Sequence, residues 1–330
     1  HFTPHFAFIK MNIIQMNDTF PKAEQPSKMK ISLKPHQLTM ISRCRVLEDT
    51  SSNPLVIQDE HHLKEFKTKF GIIGDVVGSG KTLSILGLIQ TQKKITTAIP
   101  RYFSNPFVSY IDSSSSTYSN YHNKTLHENT NVIVVPHNVY KQWCTTIENY
   151  TSLKYIGIFN KKSYEKFDEI MRNEEFQYFD ADIILISSTK FKDVCTKLVN
   201  HAFSRLIIDE ADTIKITGIF INYNFLWFVT STYDVLCNPN GKIYYANSDG
   251  QISKYYSFHH GYTNRVLYKG VSCSLIKQTI HYLNTIGNGV RQHLIIKNDD
   301  NFVKKAFELE DYVVNILKSN NPLIANVLGS

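Results

Sequence analysis

Short, uninterrupted apolar runs recur along the middle of the chain, at residues 70–73, 132–135, 155–159, 183–186, 206–208 and 225–229. Between them the apolar spacing changes. Positions 85, 86, 88 and 89, and again Val139, Trp143 and Ile147, fall on one helical face. A strand that is apolar at every position needs cover on both sides, which a hairpin with one wet face does not give it. A parallel sheet with helices packed against both faces does, so the expected fold is a doubly wound α/β domain. Such sheets receive ligands beyond the carboxyl ends of their strands.

Three polar segments follow strands of this set. The first is Gly74-Asp75-Val76-Val77-Gly78-Ser79-Gly80-Lys81-Thr82, placed between a strand and a helix. Glycines let backbone N–H groups turn toward phosphate oxygens, and the helix start adds partial positive charge. Lys81 then suits the β- and γ-phosphates of ATP, and the Thr82 hydroxyl suits Mg²⁺. Gly78, Ser79 and Gly80 form the cradle. Asp75 stands where the strict phosphate-loop pattern has its first glycine.

The second segment is Leu206-Ile207-Ile208-Asp209-Glu210-Ala211-Asp212. Two adjacent carboxylates closing an apolar strand are costly unless a cation waits at the tip. Asp209 suits Mg²⁺, and Glu210 suits the orientation or deprotonation of an attacking water. An acidic helix cap would use the same residues, but the upstream Gly-Lys-Thr loop favours catalysis. The third segment is Thr230-Ser231-Thr232. Its hydroxyls could sense the γ-phosphate, bond the neighbouring carboxylates, or cap a helix.

Taken in order, these segments resemble the first, RecA-like motor lobe of superfamily 2 helicases, in particular the Swi/Snf-type branch. Leu33-Lys34-Pro35-His36-Gln37 resembles the element whose glutamine contacts adenine, which implies that role for Gln37. The Gly74 to Thr82 loop resembles motif I, and that branch also carries Asp at the position of Asp75. Val132-Ile133-Val134-Val135-Pro136 with Gln142-Trp143 resembles motif Ia, which lies along a DNA strand; Ser187-Ser188-Thr189 resembles the next strand-contacting segment. Asp209 to Asp212 reads as motif II in its DEAD spelling, and Thr230 to Thr232 takes the place of motif III. Lys-Pro-His-Gln, Trp-Phe-Val-Thr-Ser-Thr and the late Ile295-Ile296-Lys297-Asn298 resemble the helicases of large cytoplasmic DNA viruses, which include the poxvirus transcription NTPases. The resemblance implies an ATP hydrolase that uses Mg²⁺, acts on nucleic acid (DNA rather than RNA) and serves viral transcription or genome handling. Viral transcription machinery is then an expected partner.

The expected organisation is a flexible lead-in over 1–30, the helicase lobe over 31–236 with a polar insertion at about 100–131, and a hairpin-containing extension with a helical segment over 237–330. Hairpins are expected around Asn240-Gly241 and Asp249-Gly250. The first residue is not Met, so the chain is expected to be a fragment or to start at Met11 or Met16.

Composition narrows the setting. An apolar share of 42% supports a packed core, and a net charge of +7 suits a polyanion without requiring one. The five cysteines are scattered with no C-x-x-C pair, so a reducing interior is expected: the host cytoplasm or a virion if the chain is viral. No apolar run is long enough to span a membrane, and the N-terminus lacks a signal peptide. Lysine clusters (Lys28, Lys30, Lys34; Lys64, Lys67, Lys69; Lys161, Lys162, Lys166) are expected to be solvated faces rather than phosphate contacts. His61-His62 and His259-His260 lack a partner at metal-ligand spacing.

A complete motor also needs a second lobe whose arginines reach the γ-phosphate. Downstream of Asp209 the arginines are Arg265 and Arg291, and neither sits in such a setting. The second lobe is therefore expected in cis or in trans, outside this chain. Loss of an arginine finger costs ~10³–10⁵ in rate, so ATP binding with feeble hydrolysis is expected. Two other readings compete: an unrelated phosphate-loop NTPase, with no adenine contact by Gln37 and no nucleic-acid stimulation, and a degenerate ATP-binding scaffold.

Overall fold

A computed structural model describes residues 13–49, 70–91, 126–214 (less 174–175, 177 and 199), 221–233 and 294–307, with strand backbones at 55–59, 62–66, 243–247, 252–253, 263–268 and 271–272. Among these, the main sheet holds nine strands, all paired in parallel. They are β1 (Gln15–Met16), β4 (Phe70–Ile73), β5 (Leu126–His127), β6 (Asn131–Val135), β7 (Tyr155–Ile158), β8 (Ile183–Ser187), β9 (His201–Asp209), β10 (Asn222–Val229) and β15 (Ile295–Asn298). The order across the sheet is β1-β15-β4-β10-β9-β6-β8-β7, with β5 beside the start of β9. The remaining strands form a hairpin, β2 (Leu55–Asp59) with β3 (His62–Phe66), and an antiparallel sheet of β11 (Ile243–Asn247), β12 (Ile252–Ser253), β13 (Thr263–Tyr268) and β14 (Val271–Ser272).

The helices are α1 (Pro35–Glu48), α2 (Lys81–Thr91), α3 (Tyr140–Tyr150), α4 (Lys161–Arg172), the single-turn α5 (Phe191–Cys195) and α6 (Asp300–Lys305). Each apolar run read from the sequence is a strand, and β6 and β8 are buried at all five positions. Continuous β-branched residues suit a strand covered on both faces, and the doubly wound α/β arrangement follows. On α4, Phe167 is buried while Lys161, Lys162 and Lys166 face solvent, as an amphipathic helix requires.

The sheet takes strands from beyond both expected ends of the helicase lobe. Met16, within the stretch expected to be a loose lead-in, is buried and paired through β1 to β15. Further along that stretch, the Met29 side chain is buried and the Lys30 N–H donates to the Tyr150 carbonyl at 2.8 Å. In the expected extension, β15 lies directly beside β4. The helical segment expected after residue 272 falls mostly outside the described residues, and the described part opens with a strand. The insertion's C-terminal edge is also tied in. Leu126–His127 pairs with β9, and Glu128 accepts from the His201 ring at 2.7 Å in a buried pair. Residues 100–125 lie outside the described residues.

Fully buried charges need partners, and the core contains one such set. Arg205 on β9 donates to Glu48 at the end of α1, through Nε at 2.6 Å and Nη2 at 2.9 Å. The Trp227 indole donates to the same carboxylate at 2.8 Å, and Arg205 Nη1 donates to Asn131 Oδ1 at 3.1 Å.

Candidate functional site

Sheet order brings the three polar segments together. β10 lies between β4 and β9, and Val229 pairs with Ile73 on one side and Asp209 on the other. The glycine-rich loop after Ile73 and the carboxylates at Asp209 therefore stand level at the carboxyl edge, two strand spacings or about 10 Å apart. Backbone bonds continue past the strand ends: the Thr230 N–H donates to the Ile73 carbonyl at 3.0 Å, and the Ala211 N–H to the Val229 carbonyl at 3.1 Å.

In the loop, Gly78 and Gly80 both have φ near 79°, the left-handed region that glycine enters without Cβ strain. A Cβ on Gly80 would also strike the Gln37 amide. Lys81 opens α2, and its ammonium donates to the carbonyls of Asp75 at 3.0 Å and Val76 at 3.1 Å. Burial lowers the Lys81 pKa, opposed by the negative charges of Asp75, Asp209, Glu210 and Asp212. The Lys81 ammonium thus feels the negative charges of the acidic segment 209–212. Thr82 follows it on the first turn of α2.

Asp209 is buried, and burial raises its pKa against the stabilising influence of a Trp143 hydrogen bond and the Lys81 charge. The Trp143 indole N–H donates to Asp209 Oδ2 at 2.7 Å. Trp143 is 1% exposed and packs inward with Ile147, on the helical face read from their spacing. The adjacent Gln142 is exposed. Glu210, half-buried, has φ 47°, a left-handed conformation that costs a non-glycine residue roughly 1–3 kcal/mol. Burial and the adjacent Asp209 charge both raise its pKa.

Thr230 and Thr232 bond a carboxylate, one of the options open from sequence. Their hydroxyls donate to the two oxygens of Asp212, each at 2.7 Å. The segments 209–212 and 230–232 are thereby joined through Asp212.

At the far side of the loop, Gln37 is buried on the first turn of α1. Its Oε1 accepts from the Lys34 N–H at 2.8 Å, and its Nε2 lies 3.4 Å from the Gly80 carbonyl. His36 Nε2 contacts the Ser79 carbonyl at 2.8 Å. Asp75 is held from β15: Asn298 donates its backbone N–H to Oδ1 at 2.6 Å and its amide to Oδ2 at 2.8 Å. Sequence reasoning missed Asn298 as a site residue and Trp143 as a neighbour of Asp209. Both are sequence-distant from the groups they bond, and no local pattern signals the pairing.

The tips of β6 and β8 form a second polar patch. His137 Nδ1 lies 3.1 Å from the Ser187 hydroxyl, which is 3.1 Å from the Thr189 hydroxyl, and the His137 ring stacks on Phe159 at 4.2 Å.

The SNF2-related domain model matches residues 36–224. A putative helicase of Acanthamoeba polyphaga mimivirus is 24% identical, over 73% of this chain and 37% of its own length. The chain thus spans just over a third of that curated relative. Among solved structures, the Sulfolobus solfataricus SWI2/SNF2 ATPase core in complex with dsDNA matches at 17% identity and a TM-score of 0.38, over 63% of this chain and 34% of its own. Since the family model covers more than half of its residues, the chain belongs to the SNF2-related domain family, as a Swi/Snf-type lobe of the superfamily 2 helicases.

Proposed function

We propose that this chain is the ATP-binding lobe of a DNA-dependent ATPase of the helicase or translocase class, acting in viral transcription or genome handling. The observation that carries the reading is the convergence of Lys81 with Asp209, Glu210 and Asp212 at one sheet edge. In this reading the loop N–H groups of Gly78, Ser79 and Gly80 receive the phosphates. Lys81 exchanges its loop carbonyls for β- and γ-phosphate oxygens, and Gln37 contacts adenine beside Gly80.

The residues fit Mg²⁺. No group of three or more His, Cys, Asp or Glu able to hold a metal occurs among the described residues. Mg²⁺ characteristically needs fewer protein ligands, taking one or two carboxylates plus substrate phosphates and water. Asp209 and the Thr82 hydroxyl would hold it, and when bound it would neutralise phosphate charge. Glu210 would orient or deprotonate the attacking water, its raised pKa bringing it closer to a working base.

The tips of β6 and β8, with His137, Ser187 and Thr189, are the proposed strand-contacting edge, with DNA favoured over RNA. Among the described residues Cys44, Cys144 and Cys195 form no disulfide, and a reducing host cytoplasm or virion is the proposed setting. No helix among the described residues is long and apolar enough to cross a membrane. The second lobe, in cis or in trans, would supply the arginines.

Binding of a fluorescent N-methylanthraniloyl ATP tests the reading, followed by turnover with DNA and with RNA. The chain should bind with Mg²⁺ and turn over slowly, and Lys81→Ala should abolish binding. Glu210→Gln should bind normally while single-turnover hydrolysis falls by about 10²–10⁴. A chain that binds no nucleotide, or Lys81→Ala binding as tightly as the native chain, would sink it. Brisk DNA-stimulated turnover by this chain alone would overturn the expectation of feeble hydrolysis.

A further inference from the structure

Two tryptophans occur in the chain, and each buries an indole that donates to a buried carboxylate. The two settings differ in kind. Trp227 donates to Glu48, whose charge is matched by two donors from Arg205, so that carboxylate is committed to the core. Trp143 donates at 2.7 Å to Asp209, at the sheet's ligand-binding edge. No salt-bridge partner lies within 4.0 Å of Asp209 among the described residues; Lys81 reaches it only as a neighbouring charge.

The distinction has chemical meaning. A cation bonded directly to Asp209 would cancel the charge that a dication needs. An indole N–H fixes the carboxylate's orientation and leaves its charge intact. Outer-shell donors of this kind orient carboxylate ligands, and their removal typically costs 10–100-fold in metal affinity. Trp143 is itself rigidly held: it is fully enclosed on α3, with Ile147 one turn on also buried, and α3 begins just beyond the β6 tip.

We propose that Trp143 is a positioning residue for the metal site, its indole N–H holding the Asp209 carboxylate in the orientation that receives Mg²⁺ with ATP. This rests on the Mg²⁺·ATP reading of the site.

The chain labelled with ¹⁵N-tryptophan has two indole N–H resonances to observe, assigned with Trp227→Phe. ATP is added with EDTA, and then Mg²⁺ in excess. The Trp143 resonance should move on the Mg²⁺ step while that of Trp227 stays in place. In parallel, fluorescent-ATP binding is titrated with Mg²⁺. Trp143→Phe, which keeps most of the ring volume and removes the donor, should raise the Mg²⁺ half-saturation point by about 10–100-fold. Trp227→Phe should leave it unchanged.

Nucleotide binding with Mg²⁺, an unmoved Trp143 resonance and a native Mg²⁺ requirement in Trp143→Phe would overturn the proposal while leaving the ATP site intact. Failure of the native chain to bind nucleotide at all would overturn both. If Trp143→Phe does not fold, the resonance shift in the native chain decides alone.

Discussion

Asn298 holds Asp75 from two directions, with its backbone N–H 2.6 Å from one carboxylate oxygen and its side-chain amide 2.8 Å from the other. The same amide reaches the His36 carbonyl at 3.1 Å, so β15, the glycine-rich loop and the start of α1 meet at one joint. Asn298→Ala leaves a buried carboxylate short of a donor, which should cost roughly 1–3 kcal/mol of stability in urea titration. Asn298→Asp, which sets a second carboxylate against Asp75, should cost more. A native urea midpoint for both variants would show that the joint contributes nothing.

The two threonines that bond Asp212 should differ in stability by their burial. Thr230 is fully buried and Thr232 is exposed. Thr230→Val removes a buried donor to a carboxylate and should cost about 1.5–3 kcal/mol. Thr232→Val should stay within about 0.5 kcal/mol. Guanidinium denaturation of the two variants distinguishes them, and equal losses would contradict the argument.

Acid should loosen the joint through His36. Burial lowers the His36 pKa below that of an ordinary histidine, opposed by the Ser79 carbonyl and the Asp75 charge. A histidine that holds its proton less well when folded stabilises the protein fully above its unfolded pKa, and that stability is lost as pH falls toward the folded value. Asp75 acts the other way, because burial raises its pKa and protonation relieves that penalty. The His36 share shows as a difference between two proteins: from pH 7.5 to 5.5 the thermal midpoint of His36→Gln should change less unfavourably than that of the native chain. Parallel slopes for the two proteins would rule out His36 as the cause.

Arg205 and Glu48 are both 0% exposed, so breaking the pair leaves an uncompensated charge in the core. Arg205→Ala should cost about 3–5 kcal/mol. The double replacement Arg205→Met with Glu48→Leu should recover most of that, because apolar residues of similar volume commonly replace buried pairs at little cost. A double variant no more stable than Arg205→Ala, measured by urea unfolding, would point instead to the bonds from Asn131 and Trp227.

Those same residues show where the sequence was legible. Strands 132–135, 183–186 and 225–229 could be read because their apolar residues are continuous. The start of β9 could not: His201, Ser204 and Arg205 look like loop residues, yet they are buried because Glu128 and Glu48 bond them from elsewhere in the chain. β1 and β15 escaped for a different reason. β1 is only two residues long, Lys297 and Asn298 break the apolar run of β15, and each takes its place in the sheet from a partner hundreds of residues away. In the candidate site, Lys81, Asp209 and Glu210 were legible from local motif grammar. The spacing of Val139, Trp143 and Ile147 marked a packed helical face, but nothing in it shows that the Trp143 indole ends on Asp209.

β10 contributes a chemical segment only at its end, yet it governs the separation of the other two. As a spacer between β4 and β9, it sets the distance across which a triphosphate and its metal would have to fit. Side chains alternate faces along a strand, so deleting one residue from β10 would turn Trp227 away from Glu48 and shift Thr230 off Asp212 together. The carboxyl edge is therefore gauged by a strand whose interior side chains never reach it, and tolerance to insertion or deletion should be lower there than anywhere in the acidic turn it supports.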